Sequence, residues 1–317
     1  MKFPLNILEF QRRFSTENAC WNYLRRVRWP KGFICPYDGT QSVGFTRTRG
    51  VWQCQKGHQI SVTTDTVMHS SHVPLQKWFW AAYLVSTQKT GLSAWNLAEQ
   101  IGVHYETAYM MLQRLRAGMV CPERAKISGV VEMDEAYVSA GRMRTAKRRK
   151  RGRGTIKPLV VCAVQAKGRF AGQLRIRRIK SASAECLEKF TCDYVTKRST
   201  IVTDGLPSYS GLSRLGFRHV ARRGASSVEV AKQLPHVHRA FSNLKAWLIG
   251  THHGVSSKHL QAYLNEFAFR YNHRGNLFRA FKIVLGLSSI QEGPEYEKLY
   301  SAGNRGGWTH PATRQCA

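Results

Sequence analysis

The nine residues VVEMDEAYV (130–138) decide how this chain is read. An apolar β-like run ends on an acidic pair, Asp134 and Glu135, and the strand period of two puts Glu132 and Asp134 on one face. Further β-rich runs follow at 158–165, 173–179 and 200–203, with a helical segment near 182–196 before the last. Two long helical patterns, near 228–249 and 257–272, close the region. Three strands, a helix, a strand and then helices predict an α/β architecture built on a mixed sheet.

Towards the N-terminus the texture differs. Residues 1–30 place Phe10, Phe14, Cys20, Trp21 and Leu24 at helical spacing. Residues 33–63 carry short β-like runs around Cys35 and Cys54, with turn signals at Asp38-Gly39 and Lys56-Gly57. From Leu75 to Gly118 the pattern is helical. Within it, GLSAWNLAEQIGVHYETAYMMLQRLRAG (91–118) has helix-turn-helix character, with a short helix near 93–100, a break at Gly102 and a longer helix near 104–117. Tyr105, Tyr109, Gln113, Arg114 and Arg116 of the second helix are the candidates to reach DNA, and a plain helical hairpin is the alternative. The charge run RMRTAKRRKRGRG (142–154) interrupts the β-rich region, and its Lys147, Arg148 and Arg149 are further DNA-contacting candidates. Beyond Gly286 periodicity is lost, and a loosely ordered tail is expected.

Bulk properties narrow the partner. Forty-nine Lys and Arg against 19 Asp and Glu give a net charge of +30 over 317 residues, spread along the chain. That excess is more than solubility requires and makes a polyanion the expected partner. The eight cysteines form no CxxC pair and no secreted-type framework, so free thiols in a reducing compartment are expected. No apolar leader opens the chain, and the longest membrane-like stretch, Trp78 to Val85, is too short to span a bilayer. A cytoplasmic protein follows, with no membrane partner.

Asp134 and Asp204, the latter in STIVTDGLPSYS (199–210), each lie at or near the end of an apolar β run. Carboxylates there, from neighbouring strands, can share divalent cations of the kind two-metal phosphoryl transfer requires. Asp-Gly at 204–205 is also an ordinary turn signal, so Asp204 alone is ambiguous. The third stretch is HVHRAFSNLKAWLIGTHHGVSSKHLQAYLNEFAFRYNHR (236–274). With Asp134-Glu135-Ala136-Tyr137-Val138 and Thr203-Asp204-Gly205, it makes the chain resemble the zinc-ribbon DDE transposases of bacterial insertion sequences, the ISXO type. The resemblance runs from about residue 15 to about 285.

That resemblance implies a ribonuclease H-like core with a mixed five-stranded sheet, preceded by a degenerate zinc ribbon and a helix-turn-helix-like region. It divides the chain into 1–66 (helix and ribbon), 67–125 (helical DNA-binding region), 126–286 (catalytic domain) and 287–317 (tail). It further implies two Mg²⁺ or Mn²⁺ ions, DNA cleavage and strand transfer at the element's terminal repeats, and a homo-oligomeric synaptic complex.

Where many relatives carry an acid, this chain has His238. His238 becomes the third metal-facing residue and Lys245, two helical turns on, a contact to the DNA backbone. If His238 were only a polar helix residue, Glu132, Glu229 or Glu266 would have to complete the site. An Asp-Asp-His set should favour Mn²⁺, since imidazole suits softer ions than Mg²⁺. The family's four-cysteine ribbon survives here as Cys35 and Cys54, with Asp38 and His58 in the other places. These four could hold Zn²⁺, though the non-standard spacing and the two missing thiolates favour a metal-free remnant. The rival functions are a DNA-binding regulator with an inactive core and a nuclease that hydrolyses but never joins.

Overall fold

The computed structural model describes residues 4, 6–46, 50–120, 125–138, 157–222, 229 and 232–285. They fall into two compact units, one drawn from Met1–Val120 with Asn276–Ser301 and the other from Cys121–Gly275.

The first unit opens with α1 (Ile7–Arg13) and α2 (Glu17–Arg28), whose N-termini are capped by the side chains of Asn6 and Thr16. A three-stranded antiparallel meander follows: β1 (Ser42–Thr46), β2 (Val51–Cys54) and β3 (Gln59–Ser61). Aromatic stacking ties it to α2, since the Trp52 ring is stacked on Trp21 on one hand (5.1 Å) and on Phe33 on the other (5.5 Å). Next come α3 (Leu75–Thr87), α4 (Ala94–Ile101) and α5 (Tyr105–Gly118). Gly102, at φ +60, makes the left-handed turn between the last two, a conformation without penalty for glycine.

One element was not foreseen. The segment Leu277–Val284, which the sequence reading placed at the end of the catalytic domain, is a helix packed on α3 and α5 of the first unit. Its Phe281 is 1% exposed and meets the rings of Phe10, Phe14, Tyr23 and Phe79. Gly118 permits the approach: a Cβ there would stand 2.9 Å from Val67 Cγ1 and 3.1 Å from the Val284 carbonyl oxygen.

The second unit is a five-stranded sheet in the order β6-β5-β4-β7-β8. Its strands are β4 (Val130–Tyr137), β5 (Leu159–Lys167), β6 (Phe170–Ile179), β7 (Thr200–Thr203) and β8 (Arg218–Ala221). The first three are mutually antiparallel, while β7 runs parallel to β4 and β8 parallel to β7. This order and direction is that of the ribonuclease H-like core. Helix α6 (Ala184–Tyr194) and a 3₁₀ helix (Pro207–Leu215) cover one face, through Leu187, Phe190 and Leu212 against Met133 and Val161. Helices α7 (Pro235–His252) and α8 (Leu260–His273) cover the other, through Val237, Phe241, Leu244 and Leu264 against Val160, Cys162 and Val164. Burial on both faces is why β5 reads as an unbroken apolar run. The helical pattern read from Val228 breaks before Pro235, which lacks an N–H to continue a helix but suits its first turn. Strand β8 escaped the reading because its RHVA is a short edge strand with no buried alternation. None of the described helices is long and apolar enough to cross a membrane.

Two helices lack a local cap and receive one from a distant glutamate. At α3, Glu17 of α2 accepts from the backbone N–H of Leu75 (2.7 Å) and Gln76 (3.0 Å). At α7, Glu132 of β4 accepts through Oε2 from the N–H of His236 (2.7 Å) and Val237 (2.9 Å). Each carboxylate satisfies two otherwise partnerless donors and faces the positive end of a helix dipole. Glutamine at either position keeps an acceptor but removes the charge. At the exposed Glu17 site the loss should be below about 1 kcal/mol, and at the buried Glu132 site about 2–3 kcal/mol. Urea unfolding of the two variants measures the difference, and equal small losses at both would show that the Glu132 cap carries no special weight.

Candidate active site

β4 carries the central acids. Asp134 lies opposite Cys162 of β5, on the face that α7 and α8 cover. On the other side, β7 pairs in parallel with β4, Val202 against Glu132. Asp204 follows directly on the end of β7, near enough for its charge to act on Asp134. Each aspartate has one oxygen held by backbone: Asp134 Oδ1 accepts from Glu135 N (2.8 Å) and Asp204 Oδ1 from Leu206 N (3.0 Å). Burial, and next the charge of Asp204, push the Asp134 carboxyl up to about 6; the Glu135 N–H and Lys245 oppose the rise.

Helix α7 brings the third side chain. His238 Nε2 stands 3.8 Å from Asp134 Oδ2 and has no hydrogen-bond partner among the described residues. Burial lowers the His238 pKa, so at neutral pH its imidazole is uncharged, with a lone pair to offer. Two carboxylates and a neutral imidazole are a donor set that fits divalent cations. Lys245 follows two turns along α7, exposed, with its ammonium 6.0 Å from the Phe241 ring. Of the acids weighed beside His238, Glu132 holds the N-terminus of α7, buried Glu266 is bound to Arg270 at 2.8 Å, and Glu229 is exposed.

A second layer went unread in the sequence. Glu135 points to the opposite face of the sheet, where the fully buried Tyr209 donates its hydroxyl hydrogen bond to Glu135 Oε2. Burial and then the Glu135 charge raise the Tyr209 pKa well above its ordinary value, so it stays a donor. Beside it Thr203 Oγ1 and His219 Nε2 are 2.8 Å apart. The available signal was the strand period, which separates Glu135 from Asp134.

In the first unit, Cys35, Asp38, Cys54 and His58 converge, their donor atoms all within 4.8 Å of one another. His58 Nδ1 is 3.6 Å from Cys35 Sγ, 3.4 Å from Cys54 Sγ and 3.2 Å from Asp38 Oδ2, and Cys54 Sγ is 3.3 Å from Asp38 Oδ2. Ligands of a tetrahedral zinc ion are separated by about 3.3–3.8 Å given its bond lengths, so these residues fit one. Tight turns, Gly39 N to Cys35 O and Gly57 N to Cys54 O, bend the chain at both halves of the cluster. Hydrogen bonds from Thr40 hold the Asp38 carboxyl well below the usual range.

The helix-turn-helix candidates divide. Tyr105 is 45% exposed and Tyr109 half-buried, their rings stacked at 6.3 Å, with exposed Trp95 6.2 Å from Tyr105. Gln113, Arg114 and Arg116 are buried, and Arg114 donates to the His69 carbonyl at 2.6 Å, which corrects the expectation that they reach outward. Arg114 turns inward to that carbonyl, and α5 packs against α3, α4 and the helix Leu277–Val284. Lys147, Arg148 and Arg149, like the tail beyond Gly286, lie outside the described residues.

Residues 126–272 match the ISXO2-like transposase domain and residues 15–58 the transposase zinc-ribbon domain. An uncharacterised protein in transposable element ISH50 of Halobacterium salinarum is 29% identical, covering 81% of this chain and 91% of that protein. Among solved structures, the catalytic core domain of BIV integrase aligns at 14% identity over 58% of this chain and 91% of that one, TM-score 0.27. A pre-cleavage Mos1 transpososome aligns at 13% over 66% and 78%, TM-score 0.29. The ribonuclease H-like assignment rests on the strand order, not on these alignments.

Asp134 allows a measurement on the metal-free protein. Its folded pKa of about 6 exceeds the unfolded value near 4, so the fold prefers the protonated acid, and stability falls as pH rises between the two. Above pH 6 the ionised carboxylate costs about 2–3 kcal/mol. Asp134→Asn should therefore unfold at higher urea than the parent at pH 7.5 in chelator, with the advantage gone near pH 4. A difference that does not vary with pH would contradict this origin.

Proposed function

Since the chain belongs to the ISXO2-like, zinc-ribbon transposases of insertion sequences, we propose that it cuts the ends of a mobile element and joins them to target DNA with Asp134, Asp204 and His238 as its metal-holding set. The observation that carries this reading is the approach of His238 Nε2, without a hydrogen-bond partner, to the half-buried and electrostatically raised Asp134. Asp134, Asp204 and His238 would hold divalent cations, which would supply Lewis acidity for phosphoryl transfer.

The chain's own residues do the rest. Asp134 and Asp204, each with one oxygen fixed by backbone, present the other towards the shared site. His238 contributes a neutral nitrogen, which leaves the set one negative charge short of an Asp-Asp-Glu site. Glu132 positions His238 through the first turn of α7. Lys245 meets the DNA backbone, and the +30 chain neutralises phosphates, so binding should weaken steeply with salt. Tyr105 and Tyr109, joined by Trp95, form the exposed part of the helix-turn-helix surface turned to the terminal repeats. Acting on paired ends, the protein works as a homo-oligomer on DNA in the cytoplasm.

Strand-transfer assays on end-containing oligonucleotides test the reading. Asp134→Ala with Asp204→Ala should abolish joining while gel retardation persists. The parent should work better in Mn²⁺ than in Mg²⁺, and His238→Glu should move that ratio towards Mg²⁺ by about tenfold, roughly 1.4 kcal/mol. Joining unaffected by the double alanine change would overturn the assignment, and binding without joining under any condition would favour the inactive regulator.

Cys35, Asp38, Cys54 and His58 are proposed to hold one zinc ion, supported by the donor separations. Elemental analysis of purified protein should find about one zinc per chain, lost in Cys35→Ser with a lower melting temperature for the first unit. Metal-free protein of unchanged stability would return the ribbon to a remnant.

A further inference from the structure

Only the N-terminal end of α5 meets solvent. Residues 111–119 are all buried, which leaves 104–110 (HYETAYM) as the stretch that reaches the surface. In a helix-turn-helix, that end of the second helix faces the base edges of the major groove. Guanine is read there by the paired donors of Arg or Lys, and adenine by the amides of Asn or Gln. None of these four residue types occurs in 104–110, and Gln113, Arg114 and Arg116 are withdrawn into the core. On α4, the helix that crosses the backbone in such motifs, Asn96 and Gln100 are bound to each other, with Gln100 Nε2 donating to Asn96 Oδ1 at 2.6 Å.

What this end of the motif offers instead is aromatic. Trp95 is 65% exposed and stands 6.2 Å from the ring of Tyr105, which is 45% exposed and stacked on Tyr109 at 6.3 Å. The apolar group that a major groove presents to such a surface is the C5-methyl of thymine. Both ring intervals are close to two base-pair steps of about 3.4 Å each. Lys77, whose ammonium donates to the Gly102 carbonyl at 2.7 Å, places a positive charge at the turn between the helices, suited to a backbone phosphate. We propose, on the transposase reading, that Trp95, Tyr105 and Tyr109 form an apolar surface packed against thymine methyl groups, so that the motif selects element ends by thymines spaced about two base pairs apart.

Binding alone tests this, with the full chain in Ca²⁺. Kd is measured for element-end duplexes and for the same duplexes carrying deoxyuridine in place of thymidine, a change that removes only the C5-methyl. The parent should bind the uracil ends about tenfold more weakly, beyond any change seen with an unrelated duplex substituted in the same way. The double variant Trp95→Ala, Tyr105→Ala should bind thymine ends about tenfold more weakly than the parent and no longer distinguish them from uracil ends. Tyr105→Phe keeps the ring and should keep the preference. Both positions are exposed, a melting curve checks that the variants fold, and the comparison on the parent needs no variant. Equal Kd values for thymine and uracil ends in the parent, or a folded double variant that still prefers thymine, would overturn the assignment. So would a double variant that binds DNA like the parent but elutes as a smaller species, since the aromatic face would then belong to a contact between copies. Ends recognised over unrelated DNA without a thymine preference would refute this surface alone, and lost joining with the preference intact would count against the catalytic reading alone.

Discussion

The carboxylate of Glu132 joins the sheet to α7, and the site's geometry depends on that junction. The N-terminus of α7 has no side-chain cap of its own, and its first N–H groups would be buried without partners. Glu132 Oε2 takes two of them, from a strand position two residues before Asp134. The hydrogen bonds therefore fix the helix in register with the strand. His238, two residues past His236, is brought to 3.8 Å from Asp134 as a consequence. An acid on the Asp134 face thus caps a helix, and the imidazole of His238 is the side chain that this helix brings beside Asp134.

The same arrangement concentrates unfavourable electrostatics. Asp134 is half-buried near Asp204, and its raised pKa reflects the cost of ionising it there. His238 is held neutral by burial, so it does not relieve that cost by forming an ion pair. Divalent cations, as the proposed function requires, would relieve the repulsion between the two carboxylates. On the opposite face of the sheet, Tyr209 and Glu135 satisfy each other in the core, which keeps that acid out of the cluster.

The ribbon shows a parallel substitution. Two cysteines of a four-thiolate pattern are replaced by Asp38 and His58, yet the turns at Gly39 and Gly57 bring all four donors together.

Strand period and motif marked β4 to β7 and the two aspartates, while His238 and the four ribbon residues were candidates only through the family resemblance; the fold brings His238 to Asp134 and the four ribbon donors together. Strand alternation places Asp134 and Glu132 on one face whatever surrounds them, and the helical repeat aligns His238 with Lys245. Other features depended on partners distant in the chain. That Glu132 caps α7 follows from a contact spanning more than a hundred residues. The inward turn of Arg114 follows from a partner outside 91–118, the His69 carbonyl, which no pattern within that stretch could announce. Local periodicity assigns a side chain to a face, but only the assembled tertiary structure determines what covers that face, and thus whether a charged group is a ligand, a cap or part of the core.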